Sequence, residues 1–128
     1  MLGTTDIIAF VPTKDSVKAR AFYEEVLGLR FVSDDGFALV FNANGIMIRV
    51  VKVQQFTPVQ YTILGWQVKE IEKVIGRLQE KGVRFERFGF FQQDELGIWN
   101  APSGDKVAWF KDPDGNTLSL SEHENWKK

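Results

Sequence analysis

The sequence predicts an α+β fold: two tandem βαβββ modules whose sheets pair into one curved sheet around a cleft, with the helices outside. Three observations carry this. A strand, a helix and a run of strands follow one another twice in 128 residues. Gly28-Leu29-Arg30-Phe31 and Gly82-Val83-Arg84-Phe85 stand at the same place after each helix, 54 residues apart. Ala38 to Val50 matches Ala108 to Leu120 at a spacing of 70, laying Phe41-Asn42-Ala43-Asn44-Gly45 over Lys111-Asp112-Pro113-Asp114-Gly115. The chain is an internal duplication. Each copy alone leaves one apolar sheet face uncovered, so the two sheets are expected to pair, within one chain or by exchange between two.

The elements follow in order. Ile7 to Val11 is a short run of β-branched and aromatic residues, cut by Pro12, and makes the first strand. Asp15 or Ser16 caps a helix whose apolar residues Ala19, Phe22, Tyr23, Val26 and Leu27 recur at helical spacing, and Gly28 supplies its left-handed stop. Leu29 to Ser33, an Asp34-Asp35-Gly36 turn, Phe37 to Phe41, an Asn42-Ala43-Asn44-Gly45 turn and Ile46 to Val53 form a meander. Residues 1–53 are thus module one, 54–60 with Pro58 a linker, and 61–128 module two. Tyr61 to Val68 is its first strand, and Ile71, Val74, Ile75 and Leu78 mark its helix, stopped at Gly82. The change of spacing from 54 to 70 gives the second copy about 16 additional residues between Phe85 and Asp105, among them Phe88, Phe90, Phe91 and Trp99. Copy one closes its meander without such a segment, so residues 86–104 are expected to cover the cleft.

Composition excludes several classes of function. Sixteen Lys and Arg against 17 Asp and Glu give a net charge of −1, which provides no basic field for nucleic acid or an anionic membrane surface. No run approaches membrane length, and Met1 to Phe10 lacks the basic start of a signal peptide. With no Cys there are no disulfides, thiolate nucleophiles or Cys-ligated metals in the chain, which fits a cytoplasmic protein. A single His cannot build a two-His iron site or an HExxH zinc site. GxGxxG, GxxxxGK[ST] and GxSxG are all missing. Eleven Phe, 4 Trp and 2 Tyr supply a core with rings left over to line a pocket.

Asp15-x3-Ala19-x2-Phe22-Tyr23-x2-Val26-Leu27-Gly28-Leu29 in copy one and Phe110-Lys111-Asp112-Pro113-Asp114-Gly115-Asn116 in copy two, with the duplication, resemble the vicinal oxygen chelate superfamily. That superfamily includes glyoxalase I, extradiol dioxygenases, fosfomycin-resistance enzymes and bleomycin-binding proteins, so the resemblance implies the fold more closely than any one activity. Its metal-using members hold a divalent ion on the first and last strands of each copy. Those positions carry over to Ile8, Arg49, Ile63 and Ser119, and none is His, Glu or Gln. Aliphatic side chains and a cation do not replace oxygen and imidazole ligands, so neither metal nor other cofactor is expected.

By strand parity Ile8, Phe10, Met47, Arg49, Ile63 and Ser119 face the concavity, while Ile48, Val50, Leu118 and Leu120 face the helices. The expected site is an apolar cleft with one cation, Arg49, that is either salt-bridged or orients an anionic or carbonyl-bearing ligand, and with Trp99 as wall or lid. Tyr23 is read as packing and His123 as part of a solvated tail. The expected function is metal-independent binding of an apolar or aromatic small molecule by a homodimer. Two alternatives stand beside it: a metal-free lyase or isomerase with Arg49 as anion stabiliser and Asp94 or Glu95 as base, and an interaction module whose cleft is filled.

Overall fold

The computed structural model describes residues 1–126 and divides into two compact units, one from Met1 to Pro58 and one from Val59 onward. Unit one contains β1 (Ile8–Thr13), α1 (Ser16–Ala21), β2 (Arg30–Asp34), β3 (Ala38–Ala43) and β4 (Ile46–Lys52). Its sheet has the order β1-β4-β3-β2, with β1 parallel to β4. The strand expected to stop at Val11 runs on through Pro12, because β1 is an edge strand where a missing N–H interrupts no ladder. Asp15 caps α1, its Oδ1 accepting the Lys18 N–H at 3.1 Å. The single expected helix is divided: after Ala21 a π-helical turn spans Phe22–Val26, and the Leu27 N–H donates to the Phe22 carbonyl five residues back. That turn contains Tyr23, which is fully buried with its ring 5.9 Å from Phe41. Tyr23 is a packing residue, as expected.

Unit two repeats the plan with β5 (Thr62–Gln67), α2 (Ile71–Glu80), β6 (Trp99–Asn100), β7 (Lys106–Lys111) and β8 (Thr117–Glu122), in the order β5-β8-β7-β6. Ile71, Ile75 and Leu78 bury one face of α2, and Gly82 ends it at φ +91°, as Gly28 ends the first helical segment at +76°. The first N–H of α2, on Ile71, has no side-chain cap beside it. It donates instead to Glu122 Oε1 at 3.0 Å, so the end of β8 caps the helix.

The ladders correct one spacing. Leu39 and Phe41 pair with Val50 and Ile48, whereas Ala108 and Phe110 pair with Leu120 and Leu118. So β8 follows β4 at 70 residues, but β7 follows β3 at 69, and the matching aromatic pairs are Phe31 with Phe41 and Phe85 with Phe110. The reason is the turn. Unit one uses a two-residue Asn44-Gly45 turn with both φ angles positive. Unit two uses the longer Asp112-Pro113-Asp114-Gly115-Asn116 loop, one residue out of step, so the insertion is about 15 residues rather than about 16.

Asp112 holds that loop from inside. Its Oδ1 accepts the N–H groups of Asp114 and Asn116 at 2.9 Å, and its Oδ2 accepts the Asn116 carboxamide at 2.8 Å. Both Asp112 and Asn116 are buried, so truncation removes the acceptor of two buried hydrogen bonds and one part-buried one. Asp112→Ala is expected to lower unfolding stability by about 1–3 kcal/mol, read as a reduced denaturant midpoint at unchanged slope.

Candidate functional site

Alternation along β8 decides which side chains share the sheet face away from α2. Leu118 and Leu120 point to the helix side and are buried with Ala108 and Phe110. Ser119 and Ser121 point the other way. Across the ladders Ser119 stands beside Trp109 and Gly65, and Ser121 beside Val107 and Gln67, with Trp99 next to Val107. This open face carries two groups of side chains.

The first is aromatic. The Phe91 ring lies parallel to Trp109, at 5.3 Å and 3°, and stacks on Trp99 at 4.6 Å and 30°. Phe88 meets Trp109 edge-on at 5.4 Å, and Phe90, which is exposed, packs on Phe91 at 4.5 Å. Trp109 is fixed at its polar end, its Nε1–H donating to Thr62 Oγ1 at 3.0 Å. The insertion is held in shape by Gln93, which accepts the Phe88 N–H and donates to the carbonyls of Glu86 and Gly97. The Arg87 guanidinium donates to the carbonyls of Asp94 and Glu95. Asp94 Oδ1 accepts the N–H groups of Leu96 and Ile98, so the carboxylate considered as a base caps a turn.

The second group is polar. His123 is not a loose tail residue: its Nε2 lies 2.8 Å from Ser121 Oγ and its Nδ1 3.0 Å from Asp105 Oδ2. Because Lys106 pairs with Glu122, Asp105 and His123 occupy the next row of the same face. Ser103 Oγ donates to the same Asp105 oxygen. Hydrogen bonds from His123 first, then Ser103, hold the Asp105 carboxyl below its ordinary range. An ionised carboxylate only accepts, so Nδ1 donates to Asp105, and in that tautomer Nε2 is the acceptor facing the Ser121 hydroxyl. The three residues border a groove of about 520 Å³ together with Gly65, Gln67 and Trp126.

The expected site residues fall as follows. Trp99 is in the aromatic stack, half-buried. Ser119 is on the open face but nearly covered, and Gly65 is the reason it fits: a Cβ at Gly65 would stand 2.5 Å from Ser119 Oγ. Ile63 drops out of the ladder into a bulge between Thr62 and Leu64, leaving Gly65 opposite Ser119. In unit one, Ile8 and Met47 are paired neighbours and Phe10 is paired with Arg49, all on the face away from Val11, Ile48 and Val50. Ile8, Phe10 and Met47 are 46, 61 and 40% exposed. Arg49 is salt-bridged, its Nη2 donating to Asp35 Oδ2 at 2.6 Å. Sequence reasoning missed Trp109, Gln67 and the Asp105–His123–Ser121 row. The signal lay in the second copy's spacing, since only a ladder places residue 105 beside residue 123.

The donor set at the positions the resemblance assigns to a divalent ion does not fit one: unit one offers Ile8 and Arg49, unit two Ile63 or Gly65 and Ser119. Among the described residues no three His, Cys, Asp or Glu side chains converge.

The sequence profile of the Glyoxalase/Bleomycin resistance protein/Dioxygenase superfamily matches residues 5–120. Among solved structures the chain is similar to a member of that superfamily from Sphaerobacter thermophilus, with TM-score 0.75, 23% identity and coverage of 96% of this chain and 100% of that one. Lactoylglutathione lyase from Agrobacterium tumefaciens gives TM-score 0.73 at 18% identity, with 96% of each chain covered. TnmS3, an antibiotic binding protein from Streptomyces sp. CB03234, gives TM-score 0.72 at 25% identity, covering 95% of this chain and 98% of that one. No curated protein matches the sequence. No helix among the described residues is long and apolar enough to cross a membrane.

The Arg49 ion pair has a titration signature. The Arg49 guanidinium, helped by the N–H groups of Ala38 and Phe37, lowers the Asp35 carboxyl from 3.8 to about 2. A depressed folded-state value stabilises the fold above 3.8, and that contribution is lost as pH falls through about 2. In a carboxyl-carbon NMR titration Asp35 is expected to titrate near 2, and in Arg49→Leu to move back toward 3.8.

Proposed function

The chain belongs to the Glyoxalase/Bleomycin resistance protein/Dioxygenase superfamily, and from that premise we propose that it is a metal-independent small-molecule-binding protein that sequesters an apolar or aromatic ligand on the open face of its second unit. The observation that carries this reading is the stack of Phe91 on Trp109 and Trp99, half-buried rings held in place by a hydrogen-bonded insertion. Rings fixed before a ligand arrives lose little entropy on binding, and a flat aromatic partner extends the stack. The antibiotic-binding description of TnmS3 supports a capture role on this fold. Of the groups the Arg49-based enzymatic alternative names, which are Arg49 with Asp94 or Glu95, Arg49 is engaged in the Asp35 ion pair and Asp94 in a turn cap.

Anilinonaphthalene sulfonate, a fluorescent aromatic probe, tests the reading. It is expected to bind with a Kd that Trp99→Ala weakens by about 1–3 kcal/mol, while Tm stays within a few degrees. Equal affinities would remove the stack from the binding site. Divalent zinc, nickel, manganese and iron(II) are expected to leave Tm unchanged in the same thermal-shift plate, since a bound ion stabilises the fold by linkage. A metal-dependent rise would overturn metal independence.

We also propose a homodimer, with a second copy covering the exposed apolar face of unit one. Ile8, Phe10 and Met47 form a contiguous patch across β1 and β4, larger than isolated surface residues account for. A second copy fits because an isologous contact sets like surfaces against each other. Sedimentation is expected to give a dimer for the parent chain and a monomer for Phe10→Asp; a parent that stays monomeric across a wide concentration range would refute it.

A further inference from the structure

The geometry points to a second capability of the open face: Ser121, His123 and Asp105 form a nucleophile–base–orienter relay that hydrolyses small carboxylic esters in the groove of unit two. Ser121 Oγ is 2.8 Å from His123 Nε2, and His123 Nδ1 is 3.0 Å from Asp105 Oδ2. A nucleophile in hydrogen-bond reach of a base, itself oriented by a carboxylate, is the arrangement acyl transfer needs. It is assembled from one strand and its neighbour. Residues 121 and 123 share a face of the chain at the end of β8, and position 105 stands across the ladder at the start of β7. Ser103 gives Asp105 a second donor and so fixes the carboxylate that aims the ring.

The surroundings suit an ester. The groove holds about 520 Å³, room for a small molecule. Gln67 stands opposite Ser121, and Asn125 lines the same groove; both carry carboxamide N–H donors for an oxyanion. Trp126 adds an apolar wall, 65% exposed. The substrate class is an ester with a small acyl group. A preference for an aryl leaving group rests on the aromatic binding reading above; the hydrolysis does not.

The steps balance with water as the second reactant. Ser121 Oγ bonds to the ester carbonyl carbon while its proton passes to His123 Nε2, and the carbonyl π pair becomes the oxyanion held by the carboxamides. The oxyanion collapses, the carbon–oxygen bond to the leaving alcohol breaks, and that alcohol takes the proton from Nε2. Water then attacks the acyl-Ser121 ester and gives a proton to Nε2. When Ser121 leaves, it takes that proton back, and the carboxylic acid is released.

The experiment uses the full chain and two probes: an alkyl fluorophosphonate, which has no aromatic ring and reads the relay alone, and p-nitrophenyl acetate, which reads turnover. Intact mass and peptide mapping are expected to find one phosphonyl group per chain, on Ser121. Labelling is expected to vanish in Ser121→Ala and to fall by about 10²–10⁴-fold in His123→Ala and at least tenfold in Asp105→Asn. Release of p-nitrophenolate is expected to follow the same order. Circular dichroism checks each variant, and Ser121→Ala, which removes one oxygen, decides the matter should His123→Ala unfold. A folded parent that stays unlabelled at Ser121, labelling equal in His123→Ala, or hydrolysis undiminished in Ser121→Ala would overturn the proposal. The parent chain separates the two readings: fluorophosphonate labelling at Ser121 without anilinonaphthalene sulfonate binding keeps the relay and removes the stack reading, and binding without labelling does the reverse.

Discussion

The register of β8 is the constraint on which the rest of unit two depends. This strand lies between β5 and β7, so both of its edges are hydrogen-bonded and a slip by one residue would exchange its two faces. Three separate contacts oppose the slip. The Asp112 carboxylate fixes the loop that feeds the strand, Ser119 Oγ fits the space that Gly65 leaves open, and Glu122 at the far end caps α2. Each acts at a different point along six residues. With the register set, Leu118 and Leu120 belong to the core, and Ser119, Ser121 and His123 to the open face.

The aromatic insertion meets a different requirement. A loop carrying Phe88, Phe90 and Phe91 would collapse in many ways if its only guide were apolar contact, which has no direction. Direction comes from polar groups: Gln93 ties Phe88, Glu86 and Gly97 together, Arg87 grips two carbonyls, and Asp94 closes a turn. Gly97, at φ +89° and with Phe85 close to where its Cβ would be, lets the chain reverse there. The rings meet the two tryptophans in defined planes on a backbone tied by these hydrogen bonds.

Much of this fold was legible in the sequence, because the two modules leave the same local marks. Helical spacing before Gly28 and Gly82, and the repeated Gly-x-Arg-Phe after each, located both helices and the strands around them. The places where reading fell short are those where one residue is gained or lost. The π-helical turn after Ala21, the bulge at Ile63 and the longer Asp112 loop each shift spacing by a single position, which periodicity over a short window does not resolve. The site suffered most from this. Trp99 was visible as a large ring in the additional segment, whereas His123 sits among charged residues near the end of the chain and gains meaning only from Asp105, a neighbour across a ladder.

Duplication followed by divergence in side-chain size accounts for the groove's place in one unit. The pair Phe10 and Arg49 in unit one corresponds to the pair Gly65 and Ser119 in unit two. In the first unit a ring and a guanidinium occupy the middle of the open face, and Asp35 neutralises the cation. In the second the same positions carry no side chain and a hydroxymethyl group, so the backbone of β5 lies open beside β8. The exposed backbone at Gly65 lines the groove beside Ser121 and His123, with Asp105 on the β7 side. A larger residue at position 65 would meet Ser119 Oγ at once, so the small pair has to be kept together for the groove and the register to persist.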